Sequence, residues 1–90
     1  MIAVRLVVTG KVQGVFFRQS TRSKALELKL KGFVMNQSDG SVIIEAMGEE
    51  DKIQSLFVWC QLGPLPAKVK NVDKVHIDFF TGYETFLIKK

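Results

Sequence analysis

Cysteine and histidine are scarce in this sequence, which has one of each among its 90 residues. A single cysteine, Cys60, excludes an internal disulfide, and its separation along the chain from His76 fits no zinc or redox motif. We therefore expect neither a metal nor any other cofactor. We interpret Cys60 as a core residue and His76 as a solvent-facing strand residue.

Long apolar runs are also lacking. The apolar stretch 2–8 is interrupted by Arg5 and is too short to cross a bilayer or to form a signal-peptide core. The formal net charge of +4 is spread along the chain in singles and pairs, so it needs no nucleic acid to explain it. We expect a cytoplasmic protein that binds neither membranes nor nucleic acid.

The length of the chain limits its architecture. A chain of 90 residues, of which 47% are hydrophobic, has enough apolar surface for one core and lies in the ordinary globular range. At this size folding buries roughly 60–65% of the unfolded surface, which suffices for one layer of side chains beneath a sheet. We expect residues 1–90 to form a single domain and a monomer.

The first part of the chain has the pattern of a strand followed by a helix. Alternation over 2–9 predicts a strand that Gly10 ends. The residues on its buried face are Val4, Leu6 and Val8. After a loop, 16–30 contains many good helix formers and neither proline nor glycine, which predicts a helix that Gly32 stops.

A second strand and a hairpin follow. The second strand spans 33–36 and leads to the pair Asp39-Gly40, which suits a turn that needs positive φ. The third strand begins at Ser41 and ends at Gly48. Its buried face comprises Val42, Ile44 and Ala46.

The second helix is the clearest element of the pattern. Three acidic residues, 49–51, favour a helix N-terminus, and Gly63-Pro64 is a stop signal. Between them lies one apolar stripe at helical spacing, made of Ile53, Leu56, Phe57 and Cys60. Trp59 covers the edge of this stripe, so packing explains it better than binding does.

Alternation resumes after Pro66. One face of the fourth strand carries Val75, Ile77 and Phe79, and the other carries Lys74, His76 and Asp78. A short last strand contains Phe86 and Ile88. We interpret three lysines as a solvated strand edge that discourages aggregation, namely Lys68, Lys70 and Lys74.

The order of these elements is βαββαβ with a short fifth strand. This order predicts an α+β, ferredoxin-like sandwich in which two helices cover one face of an antiparallel sheet. Enzymes, RNA-binding modules and metal carriers all use this fold, so the function has to be inferred from a site.

The loop that enters the first helix is the candidate site. Main-chain N–H groups at a helix start lack helical partners and the helix dipole there favours an anion, so phosphate could bind beside 13–17. Gly10 and Gly14 permit tight or left-handed geometry, and the planar fork of Arg18 suits two phosphate oxygens. On spacing alone, however, a glycine-containing connection followed by a solvated arginine is the commoner case.

Two stretches together resemble the acylphosphatase family. The first is Val8-Thr9-Gly10-Lys11-Val12-Gln13-Gly14-Val15-Phe16-Phe17-Arg18, and the second is Gly32-Phe33-Val34-Met35-Asn36 continuing through Gly40, Val42 and Gly48. Both family signatures are complete, and two long patterns at the expected separation are far harder to meet by chance than one short motif.

The resemblance implies a function and a set of roles. The chain is expected to hydrolyse the carboxyl–phosphate bond of a small-molecule acyl phosphate, with water as the nucleophile and inorganic phosphate as product and inhibitor. Arg18 and Asn36 are the implied catalytic residues, the first closing the phosphate site and the second holding the water. The implied phosphate-binding loop consists of Val12, Gln13, Gly14, Val15, Phe16 and Phe17.

The chain departs from many family members at two positions within these signatures. Phe16 stands where many have glycine, and Met35 stands where many have a basic residue or glutamine, so substrate preference could differ. The sequence shows no obvious general base, since Asp39 and Glu45 have no partner by spacing. The resemblance implies that the substrate phosphate itself takes the proton.

Two alternatives remain beside this assignment. An RNA recognition motif shares the element order, and Lys31-Gly32-Phe33 begins like its RNA-contact octapeptide. The fragment lies on the second strand instead of the third, and the residues after it supply no second aromatic. The other alternative is the acylphosphatase-like, carbamoyl-phosphate-processing domain that begins the hydrogenase-maturation carbamoyltransferases, but no catalytic region follows here, so we expect a free-standing enzyme.

Overall fold

The computed structural model describes residues 1–89 and contains five strands and two helices in that range. In chain order they are β1 (Ile2–Lys11), α1 (Phe17–Glu27), β2 (Lys31–Asn36), β3 (Val42–Gly48), α2 (Glu50–Leu62), β4 (Lys68–Ile77) and β5 (Phe86–Lys89). The predicted βαββαβ order with a short fifth strand is confirmed. Among these residues, no helix is long and apolar enough to cross a membrane.

The sheet is mixed, whereas the sequence predicted an antiparallel one. Its strand order is β4-β1-β3-β2-β5, and the first four strands pair antiparallel. β5 instead pairs parallel to β2. Because β4 and β5 lie at opposite edges, the segment between them crosses the sheet, and no hairpin sets the direction of the last strand.

Both helices pack on the sheet face that β1 and β3 turn toward the core, as predicted. Val4, Leu6 and Val8 of β1 are completely buried there. The core is completed by residues from both helices and from β3 and β5, among them Phe17, Ala25, Ile44, Leu56, Cys60 and Phe86. Burial of apolar side chains on one face is what holds the helices to the sheet.

The first helix ends earlier than predicted, at Glu27, and a lysine reverses the chain. Lys29 has φ 60° and donates its N–H to the Leu26 carbonyl, and the Leu30 N–H reaches the Ala25 carbonyl at 2.9 Å. These bonds form the Schellman motif, which usually has glycine at the position of Lys29. No glycine occupies this position, so no stop signal marked the end of the helix and the prediction extended it to Leu30.

Gly32 therefore does not stop the helix. It lies in β2 opposite Ala46, with φ 142°, and a Cβ added to it would come within 1.9 Å of the Glu45 carbonyl oxygen. The glycine is required by the close approach of β3, which a single sequence cannot distinguish from a helix stop.

The alternation in β4 does not mark its core-facing side. Val72, Lys74 and His76 pair with the buried residues of β1 and share their face, whereas Val75 is 55% exposed on the other. Lys74 lies along α2, with its Nζ 4.7 Å from the centre of the Phe57 ring. β4 is an edge strand, as the lysine pattern indicated, and an edge strand is only partly covered by helices.

Candidate active site

A pocket of about 310 Å³ lies where the β1–α1 loop, the end of β2 and β5 meet. Its lining residues are Val12, Gly14, Phe16, Phe17, Arg18, Gln19, Asn36 and Ile88. The fold thus brings together the two residues that the sequence proposed as catalytic, Arg18 from the first turn of α1 and Asn36 from the last position of β2.

Apolar side chains fix the loop that forms one wall of the pocket. Val12, Val15 and Phe17 point into the core and are at most 6% exposed. The residues between them, Gly14 and Phe16, are exposed and have φ values of 74° and 66°. Buried anchors on either side of left-handed positions hold the backbone in one shape, which leaves its polar groups free for a ligand.

Gly10 positions the start of this loop. It has φ 120°, and a Cβ on it would lie 2.2 Å from the Lys68 carbonyl oxygen, at the point where the pairing of β1 with β4 changes register. The sequence prediction of special backbone geometry at Gly10 and Gly14 is confirmed.

The N-terminus of α1 faces the pocket, and among residues 1–89 its free N–H groups have neither a side-chain cap nor an acidic residue in the first turn. The first helical bond runs from the Ser20 N–H to the Phe16 carbonyl at 3.0 Å, so the N–H groups before Ser20 have no helical acceptor. Within the part of the chain that the structure describes, no side chain caps this end, and its first turn carries no acidic residue. The uncapped donors and the helix dipole favour an anion at this end.

Arg18 adds a full positive charge to the same place. Its side chain is half-buried in the pocket wall. Ion pairs within residues 1–89 join Arg5 to Glu45 and Lys24 to Glu27, and none involves Arg18. Its fork of N–H donors is therefore available to a ligand with two adjacent oxygens.

Asn36 contributes an acceptor to the same pocket from the end of β2. Its Oδ1 is buried, and among residues 1–89 it has no hydrogen-bond partner. An unsatisfied buried acceptor is unfavourable by about 1–3 kcal/mol, which is unusual at a position without a function. The atom is suited to accept a hydrogen bond from a molecule in the pocket.

The side chain of Gln13 belongs to the support of the site. Its Nε2 donates to the Gln37 and Ser41 carbonyls, each at 2.8 Å. Neither Gln13 nor Val15 lines the pocket, although both lie in the predicted phosphate-binding loop. Gln13 ties the loop to the β2–β3 turn, and Val15 anchors it in the core.

Asp39 and Glu45, for which the sequence suggested no partner, form a hydrogen-bonded turn and an ion pair, respectively. The Asp39 carboxylate accepts hydrogen bonds from the Ser41 hydroxyl at 2.6 Å and the Ser41 N–H at 3.0 Å. These bonds lower the pKa of Asp39, which makes it a weaker base. Glu45 pairs with Arg5 at 2.8 Å. Neither acid lines the pocket.

The residues that the sequence excluded from chemistry also lie elsewhere. Cys60 is fully buried in α2, and burial raises the pKa of its thiol to about 12, so it stays protonated and inert. His76 is exposed on β4. The interpretation of these residues as core and surface is confirmed.

Two pocket residues escaped the sequence reasoning. Gln19 follows Arg18 in the first helical turn, so its position at the helix start could have signalled it. Ile88 reaches the pocket from β5, which pairs with β2 across the sheet, and no local pattern predicts that neighbour.

Known proteins resemble this chain in sequence and in fold. The family model described as Acylphosphatase matches residues 4–88. An acylphosphatase from Coxiella burnetii is 51% identical over 70 residues, which are 78% of this chain and 74% of that protein. The crystal structure of acylphosphatase from Bacillus subtilis matches with a TM-score of 0.95 at 34% identity, covering 100% of both chains. Full-length HypF, in a phosphate- and nucleotide-bound form, matches with a TM-score of 0.88 at 28% identity, covering 100% of this chain and 12% of that one.

Proposed function

The chain belongs to the acylphosphatase family, and we propose that Arg18, Asn36 and the loop from Val12 to Phe17 are its catalytic site. Its activity is the hydrolysis of an acyl phosphate to a carboxylate and inorganic phosphate. One observation carries the assignment of the residues: a single pocket contains an arginine without an ion-pair partner in residues 1–89 and the unsatisfied Oδ1 of Asn36.

The phosphate of the substrate binds against the start of α1 in this proposal. Main-chain N–H groups of the loop and the first helical turn donate to its oxygens, and the Arg18 guanidinium binds two of them. These donors lie in place before the substrate arrives, because Val12, Val15 and Phe17 anchor the backbone in the core. Charge that develops on the phosphoryl oxygens is therefore stabilised without reorganisation of the protein.

Asn36 holds the attacking water. The water donates a hydrogen bond to Oδ1, which leaves a lone pair of its oxygen free to point at phosphorus. Attack in line with the bond to the acyl oxygen expels a carboxylate, a good leaving group, so orientation and electrostatic stabilisation suffice. The proton of the water passes to a phosphoryl oxygen of the substrate. The products are a carboxylate and dihydrogen phosphate, which then releases a proton to solvent according to the pH.

We also propose that the protein works as a single-domain monomer in the cytoplasm, without a metal or a cofactor. Residues 1–90 act as one domain, and every proposed catalytic group comes from the same chain, which supports a monomer. Arg18 and the helix start supply the positive charge, so the chemistry requires neither a metal nor a cofactor. The free thiol of Cys60 suits a reducing compartment, which supports a cytoplasmic location.

A substrate comparison tests the proposed chemistry. We expect rapid hydrolysis of acetyl phosphate and very slow hydrolysis of p-nitrophenyl phosphate, a phosphate monoester, with rates that a chelator does not change. Equal rates for the two classes would contradict a site built for a carboxylate leaving group, and loss of activity in the chelator would contradict hydrolysis without a metal.

A further inference from the structure

The Phe16 ring separates two cavities. On one side lies the pocket that contains Arg18 and Asn36, and on the other lies a groove of about 640 Å³ between α1 and the end of α2, called here the acyl groove. Its lining includes Phe16, Gln19, Lys24, Glu27, Trp59 and Pro64. Phe16 and Gln19 line both cavities, so the pocket and the groove are neighbours with a shared wall.

We propose that the acyl groove binds the acyl group of the substrate and that Phe16 and Trp59 make the enzyme selective for apolar, uncharged and especially aromatic acyl groups. This inference rests on the proposed function, because it requires the phosphate to bind beside Arg18. It assigns a second binding site on the same molecule, with its own chemistry and its own residues.

The geometry of in-line attack supports this direction for the acyl group. The leaving carboxylate departs on the side of phosphorus opposite the attacking water. Asn36, which holds the water, lines the pocket but not the groove, and the groove opens on the side of α1 and α2. An acyl group that leaves away from Asn36 and toward α1 therefore reaches Phe16 and Gln19, and the groove lies directly beyond these two residues.

The conformation of Phe16 also requires an explanation. It has φ 66° and ψ 19°, a left-handed conformation that is strained for a bulky residue, and its side chain is 72% exposed. Exposure means that packing within the protein does little to offset this strain. Glycine, which has no Cβ, would adopt this backbone conformation without strain. Contact with an apolar acyl group would give the ring of Phe16 a function.

Trp59 provides a fixed second wall. Its ring lies 5.7 Å from the ring of the buried Phe17, with an angle of 48° between their planes, and the side chain packs against the core. Aromatic rings attract one another in tilted and offset arrangements of this kind. A planar acyl group in the groove would therefore have Phe16 and Trp59 as aromatic neighbours.

The charges in the groove oppose an anionic acyl group. Lys24 Nζ lies 3.5 Å from Glu27 Oε2. Among residues 1–89, these two are the only cation and the only acid that line the groove. A second carboxylate or phosphate on the acyl chain would be repelled by the Glu27 carboxylate, and the ammonium of Lys24 is already paired with that acid. The groove thus selects against acyl phosphates with a second negative charge.

Substrate specificity ratios test the proposal, because a ratio cancels effects on the shared phosphoryl chemistry. We would measure kcat/KM for benzoyl and acetyl phosphate in the wild type, Phe16→Ala and Trp59→Leu. Loss of an aromatic contact should lower the benzoyl-to-acetyl ratio about three- to tenfold in each variant. Val58→Ala, an exposed apolar change on α2 outside the groove, is the matched control and should leave the ratio unchanged.

Charge selectivity has its own pair of substrates. Butyryl and succinyl phosphate have acyl chains of the same length, and only the second carries an extra carboxylate. Glu27→Gln frees Lys24 and should raise the succinyl-to-butyryl ratio about two- to fivefold, the size of an exposed charge interaction. An unchanged ratio would overturn the assignment of charge selectivity to this pair.

Binding provides a readout besides activity. The Kd of phenylphosphonate relative to methylphosphonate should rise in Phe16→Ala and Trp59→Leu, as measured by calorimetry. The proposal is overturned if neither the kcat/KM ratio nor the Kd ratio changes in either variant. It is also overturned if the ratios change in Phe16→Ala but stay at the wild-type values in a Trp59→Leu protein that folds. If Trp59→Leu does not fold, Phe16→Ala, which removes an exposed ring, decides the test. Arg18→Ala separates the two proposals, because it should lower kcat/KM for both substrates by at least about 10² whether or not the groove exists.

Discussion

The Gln13 side chain donates a hydrogen bond to the main-chain carbonyl of Gln37 at 2.8 Å, although the two residues lie 24 positions apart. A second bond from the same nitrogen reaches the Ser41 carbonyl. Gln13 sits in the loop that precedes α1, and Gln37 directly follows Asn36. One side chain therefore fixes the position of the proposed water-binding residue relative to the proposed phosphate site.

Gln13→Ala should reduce kcat without removing any group that contacts the substrate. Misplacement of a nucleophile by about 1 Å lowers a rate by up to about 10²-fold, so we expect a loss of roughly ten- to a hundredfold in kcat. The free energy of unfolding should fall by about 1–3 kcal/mol, because two hydrogen bonds are lost. Steady-state kinetics and urea denaturation measure the two effects.

Gln37→Ala is the matched control for this change. It removes the same kind of side-chain amide from the β2–β3 turn that Gln13 contacts, where Gln37 Nε2 donates to the Ser41 hydroxyl at 3.1 Å. It leaves the bonds from Gln13 to the Gln37 and Ser41 carbonyls in place. We expect it to lower stability more than kcat. If Gln13→Ala and Gln37→Ala have the same kcat, the hydrogen bonds from Gln13 to the β2–β3 turn do not position the site.

Arg18→Ala should lower kcat/KM by at least about 10²–10³, since it removes both substrate binding and stabilisation of the transition state. The fold should survive, because Arg18 makes no ion pair within residues 1–89. Lys70→Ala, which removes one positive charge from the exposed part of β4, controls for the net charge of the protein. Equal activity of the two variants would exclude the phosphate contact.

Inorganic phosphate and sulfate should inhibit competitively and raise the melting temperature, because either ion can bind the uncapped start of α1 in the folded state alone. At a concentration of 100 times Kd, the stabilisation is about 2.7 kcal/mol. Differential scanning calorimetry over a phosphate series measures it, with sodium chloride at equal ionic strength as the control. The increase should be smaller in Arg18→Ala, and a wild-type melting temperature that phosphate leaves constant would contradict the anion site.

The Asp39 carboxylate should make the stability of the β2–β3 turn dependent on pH. Hydrogen bonds from Ser41 lower its pKa below the ordinary 3.8 in the folded state, so the ionised group stabilises the fold above that pH. The contribution is lost as the pH falls through the lowered folded pKa. At pH 7, Asp39→Asn should therefore unfold at a lower urea concentration than the wild type. The difference between the two proteins should disappear at a pH below the lowered pKa of Asp39, where the wild-type carboxyl is protonated. A difference that persists unchanged at acid pH would exclude this role.

The structure shows which features of this fold a local pattern can predict. The core face of β1 and the stripe of α2 were predicted because apolar residues recur there at the period of each element, and burial follows directly. The end of α1 was not predicted correctly, because Lys29 adopts a left-handed conformation in which glycine is usual. Gly32, predicted to be the stop signal, is instead required by the close approach of β3. The face of β4 was also obscured, because an edge strand has too little cover for its pattern to report the core.

Some residues of the candidate site could be predicted from local sequence, and others could be found only from the folded structure. Arg18 and the loop before it were found because a strand, a glycine-containing turn and a helix start follow each other in the chain. Asn36 required the family resemblance, because a turn-forming asparagine is common and its place beside Arg18 depends on contacts between separate elements. Ile88 and the bracing role of Gln13 needed the folded structure, since each depends on pairing across the sheet.

Asn36→Ala should separate catalysis from binding and from stability. The variant loses the acceptor that orients the water, so kcat with acetyl phosphate should fall by roughly 10² or more. The phosphate Kd, measured by titration calorimetry, should change much less, because the loop and Arg18 remain. The melting temperature should stay the same or rise, since the deleted Oδ1 has no partner within residues 1–89 and its burial is unfavourable. A fall in the melting temperature with kcat preserved would instead make Asn36 a structural residue of the turn, and a loss of phosphate affinity with kcat preserved would make it a ligand of the anion, so the water would have to be held by another group.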